Sequence, residues 1–460
     1  MDKKRMVVIG GGVGGYVAAL RAARAGADVT LVERRELGGV CLNRGCIPSK
    51  VYLQAAGLLH ESQKAAVYGL TGELKPDFPA MKARKGKIVS TLTGGVSSLL
   101  KSARVRVING TASFVDPSTV EIAETSEKVS ADVFIIATGS LPVKLPIPGS
   151  DHAPMLSSDD LLDMDNPPAS LLIVGGGYIG VELGQFYSRI GTKVTIVEMT
   201  SRIIPTEDAA MADALRTSLE AEGMTILTDA KIESVGQEGN QRTAVAITAE
   251  GKKTLTADAI ALTAGRKPEF SNLGLEKIGI ELTKSGAIKV DERMRTSLPH
   301  IFAVGDCVGG ILLAHVASAE AEVAVENALG HDSTVSYKAV PRCIYTDPEV
   351  GCVGLTEDQA RADHPDVKVA KFPFRAVGKA LIADSFNGMV KIVADGKHGE
   401  ILGVHIIGPH ATELIAEAVL AIGLECTAEE IARSIHAHPT ISEGVGEAAM
   451  MLVNGAVHIP

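Results

Sequence analysis

The chain opens on an unbroken apolar run, Met6 to Ile9, that stops at a glycine cluster. Apolar residues then recur at helical spacing from Val13 to Ala25, and a second apolar run ends at Glu33. A short continuous run bounded by turn residues predicts a buried strand, and a 3.6-residue period predicts an amphipathic helix. Residues 6–33 therefore predict strand, glycine turn, helix, strand. The same pattern returns from Leu171 to Glu198, with Gly175, Gly177, Gly180 and Glu198 at one constant offset from Gly10, Gly12, Gly15 and Glu33. Each unit is followed by a later apolar run that closes in a glycine turn, Ala131 to Ser140 and Ala257 to Pro268. Between them, helices are predicted over Val51–Ala66 and Pro79–Lys101, with short strands around Val105–Phe114. Ser297–Cys307 predicts a buried strand ending at Asp306, followed by a helix-like stretch from Leu312. From about Tyr337 the pattern becomes strands (Val367–Phe374, Gly388–Val393, Ile401–Ile407) alternating with helices.

These elements predict an α/β chain with two Rossmann-like dinucleotide-binding domains and a C-terminal α+β association domain. Proline-rich stretches on either side of residue 150 mark a linker. The expected divisions are 1–149, 150–268, 269–336 (a central part returning to the first domain's site) and 337–460. In the GxGxxG context, the glycines let the backbone approach a pyrophosphate at a helix N-terminus, and the acid at the end of the second strand accepts ribose hydroxyls. Tyr178 and Ile179 lie inside the second glycine signature. Glu198 argues for NAD, because a carboxylate there repels the extra phosphate of NADP. Thr138, Gly139, Ser140 and Gly265 fall at the carboxyl edges of the predicted sheets, where such folds bind ligands.

Composition narrows the function. Hydrophobic residues are 46% and charged residues 22% of the chain, as in ordinary globular proteins. A net charge of −10 with no basic stripe argues against a nucleic-acid binder. No apolar run is long enough for membrane insertion, and no signal segment is evident at the N-terminus, so a cytoplasmic location is expected. Six cysteines are too few for a disulfide framework.

Two of those cysteines lie in GGVCLNRGCIPSK, Gly38 to Lys50, directly after the first glycine unit. Five positions of regular helix would hold Cys41 and Cys46 roughly 8 to 9 Å apart, beyond a disulfide's reach. A redox-active pair therefore requires irregular backbone, which Gly45 and Pro48 supply. Cys46 would then start a helix whose partial positive charge favours its thiolate. Taken alone, the pair also fits two inert buried thiols. A zinc site is disfavoured, because no second ligand pair is present, and no metal is expected. Near the other end, His436 or His438 beside Pro439 offers an imidazole that titrates near neutral pH, with Glu443 placed to orient it.

The cysteine stretch, both glycine units, IFAVGDC (301–307), YTDPEV (345–350) and HAHPTISE (436–443) together resemble the pyridine nucleotide-disulfide oxidoreductases, in order and over essentially the whole chain. The resemblance implies FAD in the first domain and NAD in the second. It implies a homodimer in which the C-terminal histidine of one subunit completes the other's site. Cys41 matches the thiol that meets substrate, Cys46 the thiol beside the flavin, and Lys50 the family lysine paired with Glu182. Asp306 matches the acid on the ribityl chain, and His438 and Glu443 the acid–base pair. Gly110, Leu313, Ala314 and His315 are implied neighbours of the cofactors. Arg44 stands where the family commonly has an apolar residue. The implied reaction is oxidation of protein-bound dihydrolipoamide to lipoamide with NAD reduced to NADH. Its carrier would be a lipoyl domain, on a separate chain, of a 2-oxoacid dehydrogenase or a glycine-cleavage system. Reduction of another disulfide or of mercuric ion by a related FAD enzyme is the alternative.

Overall fold

A computed structural model describes residues 3–459. Its first sheet is wholly parallel, in the order Ile301–Ala303, Val133–Ile136, Arg5–Ile9, Asp28–Glu33, Arg106–Asn109. The apolar run at residues 6–9 has no polar alternation because both faces of the sheet are covered. Met6 and Val8 enter one core with Ala18, Ala19 and Ala22 of helix α1 (Val13–Arg24), while Val7 and Ile9 enter another with Phe114 and Phe134. Successive strand side chains point to opposite faces, so one run serves two cores. The alanine-rich face of α1 also packs against the helix Ala314–Ala328 through Ala321 and Ala324. Residues 269–336 thus return to the first sheet, adding its edge strand and this helix.

The second unit repeats the design in a four-stranded parallel sheet, Thr225–Leu227, Lys193–Val197, Ser170–Val174, Ala259–Leu262. Leu171 and Ile173 face one core, Leu172 and Val174 the other. A three-stranded antiparallel meander, Lys231–Glu238, Gln241–Thr248, Gly251–Ala257, is inserted here, and the sequence pattern did not reveal it. A two-stranded ribbon, Ser140–Pro142 against Arg266–Pro268, joins the glycine turns that follow the two sheets. The C-terminal part is a five-stranded antiparallel sheet, in the order Arg342–Ile344, Glu349–Gly354, Ile401–Gly408, Met389–Asp395, Val367–Pro373, with its own apolar core against flanking helices.

The helices that shape the site are α2 (Gly39–Arg44), α3 (Cys46–Gln63), α4 (Phe78–Ser102), α5 (Ser158–Asp163) and α6 (Tyr178–Arg189). Tyr52 of α3 stacks on Phe186 of α6 at 4.6 Å and 8°, with Phe78 of α4 closing the cluster. This aromatic contact ties the cysteine helix to the helix that begins at the second glycine signature. Among the described residues, no helix is long and apolar enough to cross a membrane.

Candidate active site

The cysteine stretch folds as two helices with a break. α2 ends at Arg44, Gly45 leaves helical geometry (φ −145°, ψ −112°), and Cys46 is the first residue of α3, with Pro48 in its first turn. The break brings the side chains of Cys41 and Cys46, both free thiols here, into hydrogen-bonding contact. That hydrogen bond lowers Cys46 to about 7. Burial opposes ionisation, and the Lys50 ammonium assists it. Cys41 moves the other way, pushed well up by its hydrogen bond to Cys46 and by burial. A pair sharing one proton in this way presents one thiolate, at the helix N-terminus. Lys50 is four residues beyond Cys46, one turn along the same helix face.

Lys50 Nζ lies 2.7 Å from Glu182 Oε2, across the α3–α6 contact. Glu182 is 5% exposed, and its other oxygen accepts the Tyr345 N–H at 3.0 Å. The lysine's second neighbour is the Tyr345 ring, 4.4 Å from Nζ to centroid. Arg44 is paired with carboxylates, its guanidinium 2.6 Å from Glu36 and 3.8 Å from Asp159 of α5.

These groups line one continuous cleft of about 2530 Å³. Gly10, Gly12 and Glu33 border it on the first sheet, Gly175, Gly177 and Glu198 on the second. Gly110, Thr138, Gly139, Ser140 and Asp306 line it, as do Leu313, Ala314 and His315. Tyr178, Ile179 and Gly265 border the second cradle. Gly15 and Gly180 do not line the cleft. A Cβ at either would come within 1.8 or 2.0 Å of the carbonyl oxygen of Gly10 or Gly175, so they serve close helix–strand packing. Glu33 accepts from Gly11 N at 2.6 Å and Glu198 from Gly176 N at 2.7 Å, each carboxylate anchoring its own glycine turn.

Both turns deliver a helix N-terminus to the cleft, at Gly12 for α1 and at Gly177 for α6. A Cβ on Gly177 would meet no atom within 4 Å, so the space beside that N-terminus is open. Free N–H groups, the positive end of a helix dipole and a cleft of this length fit one dinucleotide on each sheet. Asp306 accepts from the Ser140 hydroxyl, which in turn accepts from Arg266 Nε at 2.8 Å. Arg266 was not singled out in the sequence as a site residue. Only the fold, by pairing its strand with Ser140–Pro142, brings it there.

His438 and Glu443 form a pair of their own. His438 Nδ1 donates to Glu443 Oε1 at 2.8 Å, and Thr440 N donates to Oε2 at 2.9 Å. The remaining ring nitrogen, Nε2, points outward as an acceptor. Burial disfavours the Glu443 charge, yet the bonds from His438 and Thr440 outweigh it and hold the carboxyl below the ordinary range. His438 is 78% exposed and does not line the cleft, so a single chain does not bring it to Cys41. His436 differs. Its ring is largely covered, and Nε2 lies 3.1 Å from Glu417, which makes it an anchor of this segment.

Residues 4–321 match the family described as pyridine nucleotide-disulphide oxidoreductase, and residues 340–449 match its dimerisation domain. A dihydrolipoyl dehydrogenase of Geobacillus stearothermophilus is 43% identical over 98% of this chain and 97% of its own. Dihydrolipoyl dehydrogenase 2, mitochondrial, of Arabidopsis thaliana is 41% identical over 100% of this chain and 92% of its own. Among solved structures, LpdA from Mycobacterium tuberculosis superposes with a TM-score of 0.90 at 30% identity, covering 98% of this chain and 100% of that one.

Proposed function

We infer the activity from one premise: the chain belongs to the pyridine nucleotide-disulphide oxidoreductase family. It is a homodimeric flavoprotein that oxidises dihydrolipoamide to lipoamide and reduces NAD. The observation that carries this reading is the Cys41–Cys46 contact beside Lys50 and Glu182, in a cleft running from one glycine cradle to the other.

The first cradle holds FAD, through the Gly10–Gly15 turn, Glu33 and Asp306, and the second holds NAD, through the Gly175–Gly180 turn and Glu198. Bound there, FAD and NAD would supply the acceptors for the dithiol's two electrons, with hydride chemistry at the nicotinamide. The protein's own residues perform the sulfur chemistry. His438 of the partner subunit takes a proton from one thiol of dihydrolipoamide, and Glu443 of the partner subunit stabilises the resulting imidazolium. The substrate thiolate attacks Sγ of Cys41 in the Cys41–Cys46 disulfide. The S–S bond breaks and Cys46 leaves as the thiolate, favoured by its helix N-terminus and by Lys50. The second substrate thiol attacks the substrate sulfur of the mixed disulfide, and its proton passes to the departing Cys41 sulfur. Lipoamide is released and Cys41 keeps the electron pair. The imidazole of His438 fits the base role because it is outward-facing, oriented by a carboxylate and borne by the matched dimerisation domain.

The dihydrolipoamide is carried on a lipoyl domain of a 2-oxoacid dehydrogenase or glycine-cleavage system, and the enzyme works in a reducing cytoplasm, which keeps unrelated thiols such as Cys307 and Cys352 reduced. The test is Cys41→Ser. Lipoamide turnover is expected to disappear while NADH still reduces an artificial electron acceptor through the bound flavin. Undiminished lipoamide turnover in that variant would contradict the reading.

A further inference from the structure

The YTDPEV segment has no role in the sulfur chemistry above, yet the structure fastens it with unusual thoroughness. Gln185, fully buried on α6, forms a two-way amide pair with the peptide of Asp347. Its Oε1 accepts from Asp347 N at 2.8 Å, and its Nε2 donates to Asp347 O at 2.6 Å. One turn on, Arg189 lies 2.9 Å from the Asp347 carboxylate and forms a double bond-pair with Glu222 at 2.7 and 2.8 Å. Thr346 is buried, and its hydroxyl donates to Pro348 O. Glu182, Gln185 and Arg189 share one face of α6, and all three bind residues 345–347.

All this hardware ends at a residue that is itself 40% exposed, Tyr345. Its N–H bonds Glu182, and its ring faces the Lys50 ammonium. We propose that Tyr345 is a positioning residue for Lys50: its ring and its N–H, held by the 345–347 turn, confine the ammonium on the side of α3 that carries Cys46. A lysine side chain has four rotatable bonds, and one ion pair leaves it free to swing about the carboxylate. A ring face 4.4 Å from Nζ, added to the carboxylate at 2.7 Å, restricts that freedom. The consequence is chemical, because a cation held near Cys46 favours its thiolate. The proposal deepens the reading of this same site given above and rests on it for the role of Cys46.

The test uses the Cys41→Ser holoenzyme, in which Cys46 ionises without its thiol partner, and follows thiolate absorbance in the ultraviolet against pH, with Cys41→Ser/Cys46→Ser as blank. Tyr345→Leu removes the ring and keeps the N–H, and Tyr345→Phe keeps both. Tyr345→Leu is expected to raise the midpoint by roughly half a unit to one unit, about three- to tenfold less thiolate at a given pH, and Tyr345→Phe to leave it in place. Equal midpoints for Tyr345→Leu and the parent would overturn the proposal, as would an equal shift in both variants. No dithiol substrate enters the titration, so a wrong substrate assignment would surface in the Cys41→Ser turnover test and not here.

Discussion

Cys46 shows how much of this site's chemistry is set by atoms within one helical turn. Its ionisation near 7 comes from the Cys41 hydrogen bond and the Lys50 charge working against burial. Replacing Lys50 by Met should therefore raise the Cys46 midpoint further than Tyr345→Leu does, measured in the same thiolate titration. At the other end of the reaction, Glu443→Gln keeps a hydrogen-bonding group but loses the charge that stabilises an imidazolium. Turnover with dihydrolipoamide should fall on the order of 10²-fold, while NADH reduction of an artificial acceptor stays intact. Equal losses in both assays would mean that the pair is structural. His436 supplies a stability prediction. Its hydrogen bond to Glu417 outweighs burial and raises its pKa above the ordinary 6.5. A folded pKa above the unfolded one stabilises the fold fully below about pH 6.5, and the contribution is lost as pH rises through the folded value. The melting-temperature advantage over His436→Gln should thus shrink between mildly acidic and mildly alkaline pH.

Among the elements, the α3–α6 contact matters most, because it aligns the cysteines of one unit with the glycine signature of the next. Phe186 is fully buried, stacked on Tyr52 with the Phe78 ring beside both. Phe186→Ala should cost about 3–5 kcal/mol in denaturant unfolding. The sequence made α3 and α6 legible through apolar spacing and glycine punctuation, although α3 begins at Cys46 and not at Val51. The reach of a disulfide required irregular backbone, expected at Gly45 and Pro48, and the break falls at Gly45. The meander at 231–257 was not legible. Its last strand is largely exposed and polar, so little burial marks it as a strand. Tyr345 drew notice only as part of the YTDPEV stretch, with no role of its own, and Gln185 drew none, for another reason. Each acts on a residue far away in the chain, and neither residue type carries chemistry that a local pattern would flag.

For the whole molecule, the parallel sheets with their repeated glycine units were legible because each is a self-contained pattern. The relation of His438 to the thiols was carried only by the resemblance, and the structure of one chain keeps the two apart. The C-terminal part is also fastened to the second sheet's unit by a buried charge. Lys391, 2% exposed, meets Asp208, 1% exposed, at 2.7 Å and Glu357 at 2.8 Å. Removing one member of such a group strands the others, so Lys391→Met should destabilise by about 3–5 kcal/mol. Passage of electrons from dihydrolipoamide through the Cys41–Cys46 pair to NAD can be followed in an anaerobic mixture. Purified protein is combined with dihydrolipoamide and NAD, and the nicotinamide absorbance is followed. NADH should form in step with dihydrolipoamide consumed, and none in Cys41→Ser. Nicotinamide that stays oxidised with dihydrolipoamide, in protein whose flavin NADH still reduces, would keep the fold and remove the substrate.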